Sequence, residues 1–596
     1  MAVAALSVLV PLLVACAMAG ASAFTRRREG AVAVAGALAT LALTVAVLTR
    51  DESPLLVWFG GWEPRDGVAL GVAFAIDGIG AGLAVFVAAL GVVAVVIAAR
   101  VIRVEDAIFD ALMLVFIGAM VGFCLTGDLF NLFVFFELMS VAAYALVGYE
   151  VRRRAALEGA LTFAVTNTVG SILLLFGITL LYGRTGALNL AQVGRTLAET
   201  PADGLVVVAF ALIACGLFVK AAVVPFHLWT ADAYAVAPTP VCILLAGAFS
   251  ELGLYGIARV YWTVFDGAFG AHEAELRAVL VAAGALTAVL GAVLCCAQHH
   301  LKRMLAFATI AQVGLFLIGL GLLTAYGVAG SAVWIVADGL VKAALFGCVA
   351  IVQHRYGEIE ERDLHGRARE LRPVGVIFVL GALCIASLPF TGSFLGRSLV
   401  EDAALEIPGY AWAPTLMVVV TALVSGALLR VAARVFWGLG VRAPRDPAGE
   451  PEDEEGGDRE SGGTPSLLWI PAAVMIVAAV VWGLVPGLTD AAGRAAARFV
   501  DGRGYAAAVL DGRATAPAPP EIASPGLTAY LYAVGSLALA VTVAAVALAR
   551  VPALPSPLRA VVDALRAVHN GRPGDYVAWT VAGAATLGGV FAVALL

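Results

Sequence analysis

Charge is what this sequence has least of. Asp, Glu, Lys and Arg make up 13% of its 596 residues, against about 25% in soluble domains. Hydrophobic residues reach 62% and the mean hydropathy is +0.96, which excludes a soluble globular chain; no nucleic-acid partner is expected. The eight cysteines show no CxxC spacing and lie mostly in apolar stretches, so they read as small core residues and not as metal or cluster ligands. No Walker-type phosphate loop and no dinucleotide fingerprint is present. Energy must then come from an ion gradient or from partner proteins, no cofactor is expected, and the chain is not read as an enzyme by itself. The start of the chain lacks the basic residues of a secretory signal, so residues 2–24 are expected to be a retained helix. LVAC, ending at Cys16, only loosely resembles a lipoprotein cleavage site.

What the sequence does have is apolar runs of about 20 residues, the length that crosses ~30 Å of hydrocarbon as a helix. About sixteen recur, from 2–24 through 72–99, 129–149 and 204–224 to 574–596. They are rich in Ala, Gly, Val and Leu, which permits close helix packing, and show none of the alternating strands of a barrel. The predicted fold class is therefore an all-α polytopic membrane protein. Arg26–Arg28, Arg100 with Arg103, Arg152–Arg154, Lys302 with Arg303, Arg355–Arg372, Arg442 with Arg445, and Arg559 with Arg566 follow alternate segments. Those loops are expected to be cytoplasmic, with both termini outside. Residues 441–465 are acidic and rich in Gly and Pro, the composition of a disordered loop. They separate a compact core from C-terminal helices in 466–596.

Two core segments are interrupted. ACGLFVKAAVVPFHLW carries Lys220 and then Pro225; CIASLPFTGSFLGRSLVED carries Pro389 and then Arg397. Proline removes a backbone donor and clashes with the preceding turn, and paired broken segments in two halves of a transporter point to its ion pathway. Lys220 falls on the seventh predicted segment and Arg397 on the twelfth, which fits two repeats of five.

A charge near the bilayer centre costs about 2.5 kcal/mol or more on insertion scales, so each one is a functional candidate. Glu137 is the one acid within Leu129–Tyr149. Reading outward from it, Asp77, Lys220, Glu251, Asp338, Lys342, Arg397 and Glu401 are all expected at membrane depth. Any one could be a packing compromise; together they argue for a polar track. Burial disfavours the charged form of a lysine or a carboxylate, which suits both to passing protons. Asp338 with Lys342, and Arg397 with Glu401, stand four apart and can neutralise each other on a helix face. His227 is a further relay candidate, whereas His299 and His300 are expected at a solvated membrane edge.

GDLFNLFVFFELMSVAAYAL, VTNTVGSILLLFGITLLYGRTGALNLAQV, VKAAVVPFHLWTADAYAVAPTPV and HLKRMLAFATIAQVG resemble the antiporter-like family. It is shared by the D subunit of Mrp-type sodium/proton antiporters, the proton-pumping subunits of respiratory complex I, and membrane-bound hydrogenases. The likeness covers roughly residues 70–440. It implies a core of fourteen helices with two inverted five-helix repeats and broken helices 7 and 12. The implied division is 1–106 for the first three helices, 107–263 and 264–440 for the repeats, then the loop 441–465 and the last helices 466–596.

By this resemblance Glu137 matches the acid that tunes the partner lysine, Lys220, and Lys342 matches the central lysine. Three positions depart from the pattern. Glu251 stands where a lysine is usual and Asp338 where a histidine is usual; both still titrate. Arg397 stands where a lysine or glutamate is usual, and arginine does not give up its proton, so Glu401 is expected to be the displaced exit carboxylate. LRAVHNGRPGDYVAW, before the last segment, looks more like the larger L-type and hydrogenase subunits.

The resulting expectation is a proton-translocating subunit of a multisubunit assembly in the cytoplasmic membrane, most like an Mrp-type D subunit. Its partners would be other membrane subunits, the lipid bilayer, and protons with sodium or potassium. Alternatives are a membrane-arm subunit of a complex I-like oxidoreductase or hydrogenase, an inorganic-carbon uptake subunit working with a soluble zinc protein, or a degenerate structural subunit.

Overall fold

The computed structural model describes residues 2–22, 30–50, 54–101, 107–199, 202–441, 469–513, 517–520, 522, 524–549, 560, 564–565 and 567–596. Apart from Val441, the acidic stretch 441–465 lies outside the described residues, as do Arg26–Arg28, Arg103, Arg442, Arg445, Arg559 and Arg566.

Helices α1 (Ala2–Ser22) and α2 (Gly30–Leu48) are followed by a hairpin of β1 (Leu55–Trp58) and β2 (Ala73–Ile76). The strands pair antiparallel, Leu55 with Ile76 through Trp58 with Ala73. This corrects the expectation of a helix from residue 72. The Ala73 carbonyl accepts from Gly127 N–H at 2.9 Å, and the Asp77 side chain accepts from Gly80 N–H at 2.9 Å. The chain therefore stays extended through Ile76 and turns helical only after that cap.

The core then runs α3 (Gly78–Val101), α4 (Ala107–Leu125), α5 (Leu129–Val147), α6 (Arg154–Thr185), the short α7 (Leu190–Ala198), α8 (Gly204–Ala221) and α9 (Leu228–Val236). Next come α10 (Thr239–Leu244), a π-helical turn Leu245–Phe249, α11 (Ser250–Val260), a second π turn Tyr261–Phe265, α12 (Asp266–Phe269), α13 (Glu273–Ala297), α14 (Leu301–Gly321) and α15 (Ala325–Tyr356). The core closes with α16 (Arg372–Ile385), α17 (Gly392–Glu406) and α18 (Ala413–Ala432), and the annex holds α19 (Ile470–Trp482), α20 (Leu488–Val500), α21 (Gly502–Asp511), α22 (Leu527–Ala549) and α23 (Pro573–Leu595).

Thirteen described helices are long and apolar enough to cross a membrane. One of them, Thr239–Ala297, is 59 residues long, more than enough for two crossings of about 20 residues each, and a 3-10 turn at Gly270–His272 divides it. Counting it twice, and adding the broken α16–α17 and the short apolar α19, gives the sixteen segments expected. The most enclosed windows are in α14 and α15, each 94% buried. These two helices are the centre of the bundle, while α1, α2, α22 and α23 keep most of their apolar surface outward, as lipid contact requires.

Both predicted breaks are present. After α8, Ala222 takes a left-handed conformation (φ 60°), and after α16 Ser387 does the same (φ 64°). The backbone groups freed at the first break find partners, as they must in a bilayer. Val224 N–H donates to Thr287 Oγ1 at 3.1 Å, and Trp229 Nε1 donates across the gap to the Val219 carbonyl at 3.0 Å. At the second break Leu388 N–H donates to the Leu383 carbonyl, and Thr391 caps α17 by accepting from Phe394 N–H.

Candidate proton relay

The GDLFN motif starts the site by starting α5. Asp128 is the N-cap, accepting from Asn131 N–H at 2.9 Å, while the Asn131 amide donates to Thr126 Oγ1 at 3.0 Å. This register places Phe136, Glu137 and Ser140 along one stretch of α5 beside Lys220, in the last turn of α8. Lys220 is fully buried. Its ammonium donates to Ser140 Oγ, lies 3.5 Å from the Phe136 carbonyl, and sits 4.0 Å and 4.1 Å from the ring centres of Phe136 and Phe249. Such ring faces stabilise a cation in a dry site.

Glu137 forms no ion pair with Lys220 among the described residues, and its buried Oε1 has no hydrogen-bond partner. The direct contact of Lys220 is therefore Ser140, which the sequence reading missed. Its signal was available: Ser140 follows Phe136 by four residues, on the same helix face.

Phe249 ends the π turn that precedes α11, and Glu251 comes two residues later. A π turn inserts one residue into the helical register and re-aims the side chains beyond it. Here it directs Phe249 towards Lys220 and Glu251 towards Lys342 on α15. Lys342 Nζ is 2.8 Å from Glu251 Oε1 and 2.6 Å from Asp338 Oδ2, with all three side chains buried. The backbones come close here because both helices carry glycine: a Cβ on Gly339 would meet the Gly247 carbonyl at 2.5 Å. The Ser250 and Tyr234 hydroxyls, near Glu251, are buried and face each other. The lysines are thus neutralised unequally. Lys342 faces two carboxylates, whereas among the described residues the contacts of Lys220 are dipoles and ring faces.

Arg397 and Glu401 form a separate group on α17. Arg397 Nε donates to Glu401 Oε1 at 2.7 Å. Its Nη1 reaches the hydroxyls of Ser387 at 3.3 Å, Thr421 at 3.2 Å and Ser536 at 2.9 Å. Ser536 lies on annex helix α22, so the annex closes this site. The Arg397 and Lys342 groups share no partner among the described residues. The amide of Gln312 and the indole nitrogen of Trp334 are buried and unpartnered on α14 and α15.

Asp77 stands apart from this track, paired with Arg259 at 2.6 Å beneath Phe499 of α20. Of the two histidines expected to be solvated, His300 is buried and caps α14 by accepting from Arg303 N–H at 3.3 Å. His299 Nδ1 lies 3.0 Å from Glu361 Oε2. Among the described residues no group of three or more Cys, His, Asp or Glu side chains could hold a metal ion.

The family of NADH:quinone oxidoreductase/Mrp antiporter transmembrane subunits matches residues 126–425, the stretch from the α5 cap through both broken helices. The chain belongs to this family. Among its relatives, NADH-quinone oxidoreductase subunit N of Desulforudis audaxviator is 32% identical, over 80% of this chain and 95% of that protein. A putative antiporter subunit mnhD2 of Staphylococcus aureus is 28% identical, over 67% of this chain and 78% of that protein.

A chain of the Mrp complex from Dietzia superposes with a TM-score of 0.74 at 27% identity, covering 86% of this chain and all of its own. A chain of the archaeal membrane-bound sulfane sulfur reductase gives 0.74 at 25%, with the same coverage. The likeness to Thermus thermophilus respiratory complex I, 0.61 at 21%, concerns the fold. The chain is a polytopic, antiporter-like membrane subunit, and its structural relatives come from multisubunit membrane complexes.

Proposed function

We propose that the chain translocates protons within a larger complex in the cytoplasmic membrane, as a subunit of Mrp D type. The observation that supports this most is the segment Phe249–Glu251, which touches Lys220 on one side and Lys342 on the other. In this reading a proton enters near Lys220 and Glu137 and passes the Ser250 and Tyr234 hydroxyls to Glu251, Asp338 and Lys342. It leaves at Glu401, while Arg397 supplies a fixed positive field. Glu137 acts on Lys220 through space, across the turn that holds Ser140.

The arginine-rich loops face the cytoplasm and both termini face outside. The two repeats are 107–263 and 264–440, preceded by 1–106 and followed by the loop 441–465 and the annex 466–596. Sodium or potassium is the counter-ion in an Mrp-type host.

A second reading rests on the relative that is 32% identical and named as a quinone oxidoreductase subunit. The same relay would then be driven by redox chemistry on other subunits. Purifying the native complex through a tag on this chain and identifying its companions separates the two. Small hydrophobic antiporter subunits are expected; iron–sulfur or hydrogenase subunits would assign the chain to a redox-driven pump.

A further inference from the structure

The segment before α23, part of LRAVHNGRPGDYVAW, reaches the broken helix α8–α9. His227, the residue that opens α9, is buried and lies beside the Pro225 backbone. The ring facing it belongs to His569, with centres 5.1 Å apart at 68°. His569 Nδ1 lies 2.8 Å from the Leu565 carbonyl, an acceptor, so Nδ1 carries the hydrogen and the neutral ring's lone pair is on Nε2. Nε2 is buried and has no hydrogen-bond partner among the described residues.

Several contacts hold the segment and α23 in place. Tyr576 donates to Asp232 Oδ2 at 2.7 Å. Gly571 N–H donates to Tyr576 at 3.1 Å. Gly583 of α23 lies so close to Pro225 that a Cβ there would clash with the proline ring. Asp232 is also 3.8 Å from Arg303, and the two side chains are 18% and 39% exposed, so this end of the cluster opens to solvent.

We infer that His569 is the proton inlet of this subunit, passing protons from the Asp232–Arg303–Tyr576 mouth to His227 at the broken helix. The step balances within the pair: Nε2 of His569 takes a proton from solvent to give an imidazolium. It then releases that proton through a bridging water to a ring nitrogen of His227, and returns to the neutral ring with Nδ1–H still on Leu565. The charged and titratable groups facing the pair are Asp232 of α9, Arg303 of α14 and Tyr576 of α23. The inference rests on the translocation reading above and adds to it a residue supplied by the C-terminal annex.

The test is proton flux in membrane vesicles carrying the whole complex, with assembly verified by co-purification and Lys220→Ala as reference. His569→Gln, close in size but unable to relay at neutral pH, is expected to slow flux at least ~100-fold, the low side of a typical general acid–base contribution. His569→Gly should be as slow and should recover with added imidazole. Flux within twofold of wild type in His569→Gln, or a loss that imidazole does not restore, would overturn the inference while Lys220→Ala remains inactive. Full flux in Lys220→Ala would instead remove the reading on which it rests.

Discussion

Ser140 and Glu137 make different demands on Lys220. Ser140 touches the ammonium, so Ser140→Ala removes a hydrogen bond to a charged group, an effect of about 1.5–3 kcal/mol. Proton flux in vesicles should fall by roughly 10-fold or more for that loss, and unchanged flux would exclude a role for the hydroxyl. At the exit, arginine cannot hand on a proton, so Glu401→Gln should abolish flux while Arg397→Lys retains it. Glu401→Gln with undiminished flux would rule out the displaced exit.

Most of the candidate residues were legible because an ionisable group inside an apolar run is conspicuous: Glu137, Lys220, Glu251, Asp338, Lys342, Arg397 and Glu401 all stand out. Their partners were less so. Ser140, Tyr234 and Ser536 are ordinary as letters and gain meaning only from the groups that face them. Arg259 lay in view within SELGLYGIAR, but nothing in its own helix pointed to Asp77, 182 residues away.

At the scale of elements, the π turn Leu245–Phe249 is the device that lets one helix serve two lysines. Deleting Ala248 would restore α-helical register and rotate Glu251 by about 100° relative to the preceding turn. The expected outcome is an assembled complex with flux close to that of Lys342→Ala; wild-type flux would show that the bulge does not set the alignment. Periodicity and length could not reveal this bulge, because a single extra residue hardly disturbs an already uniform apolar run. The breaks, by contrast, were legible from Pro225 and Pro389. The hairpin at 55–76 was half hidden, since AFAI is equally apolar as strand or helix start and only the Asp77 cap decides.

The whole molecule is fastened at its arginine-rich end by Glu361, in the connection between α15 and α16. Its carboxylate meets Arg430 and Arg434, each at 3.0 Å, and His299 at 3.0 Å. Removing a buried partner leaves uncompensated charge, so Glu361→Ala should cost about 3–5 kcal/mol, read as a lowered Tm in detergent. Burial pushes the Glu361 carboxyl up, but the hydrogen bond from His299 and the Arg430 and Arg434 guanidiniums outweigh it. The group is held below its ordinary value of 4.5.

A carboxyl held lower in the folded state contributes its stability in full above the unfolded value and loses it as pH falls through the folded one. The Tm difference between wild type and Glu361→Gln should therefore be constant near neutral pH and shrink below about pH 4.5. A difference that grows on acidification would contradict this account of the fastening.

In the proposed mechanism the buried lysines of this chain carry protons. The most direct measurement is proton flux across vesicles containing the whole complex, comparing wild type with Lys220→Ala and Lys342→Ala at equal assembly. Loss of flux in both variants is the predicted result, because the proposed path runs past each lysine through Phe249–Glu251. Flux near the wild-type rate in either variant would contradict it.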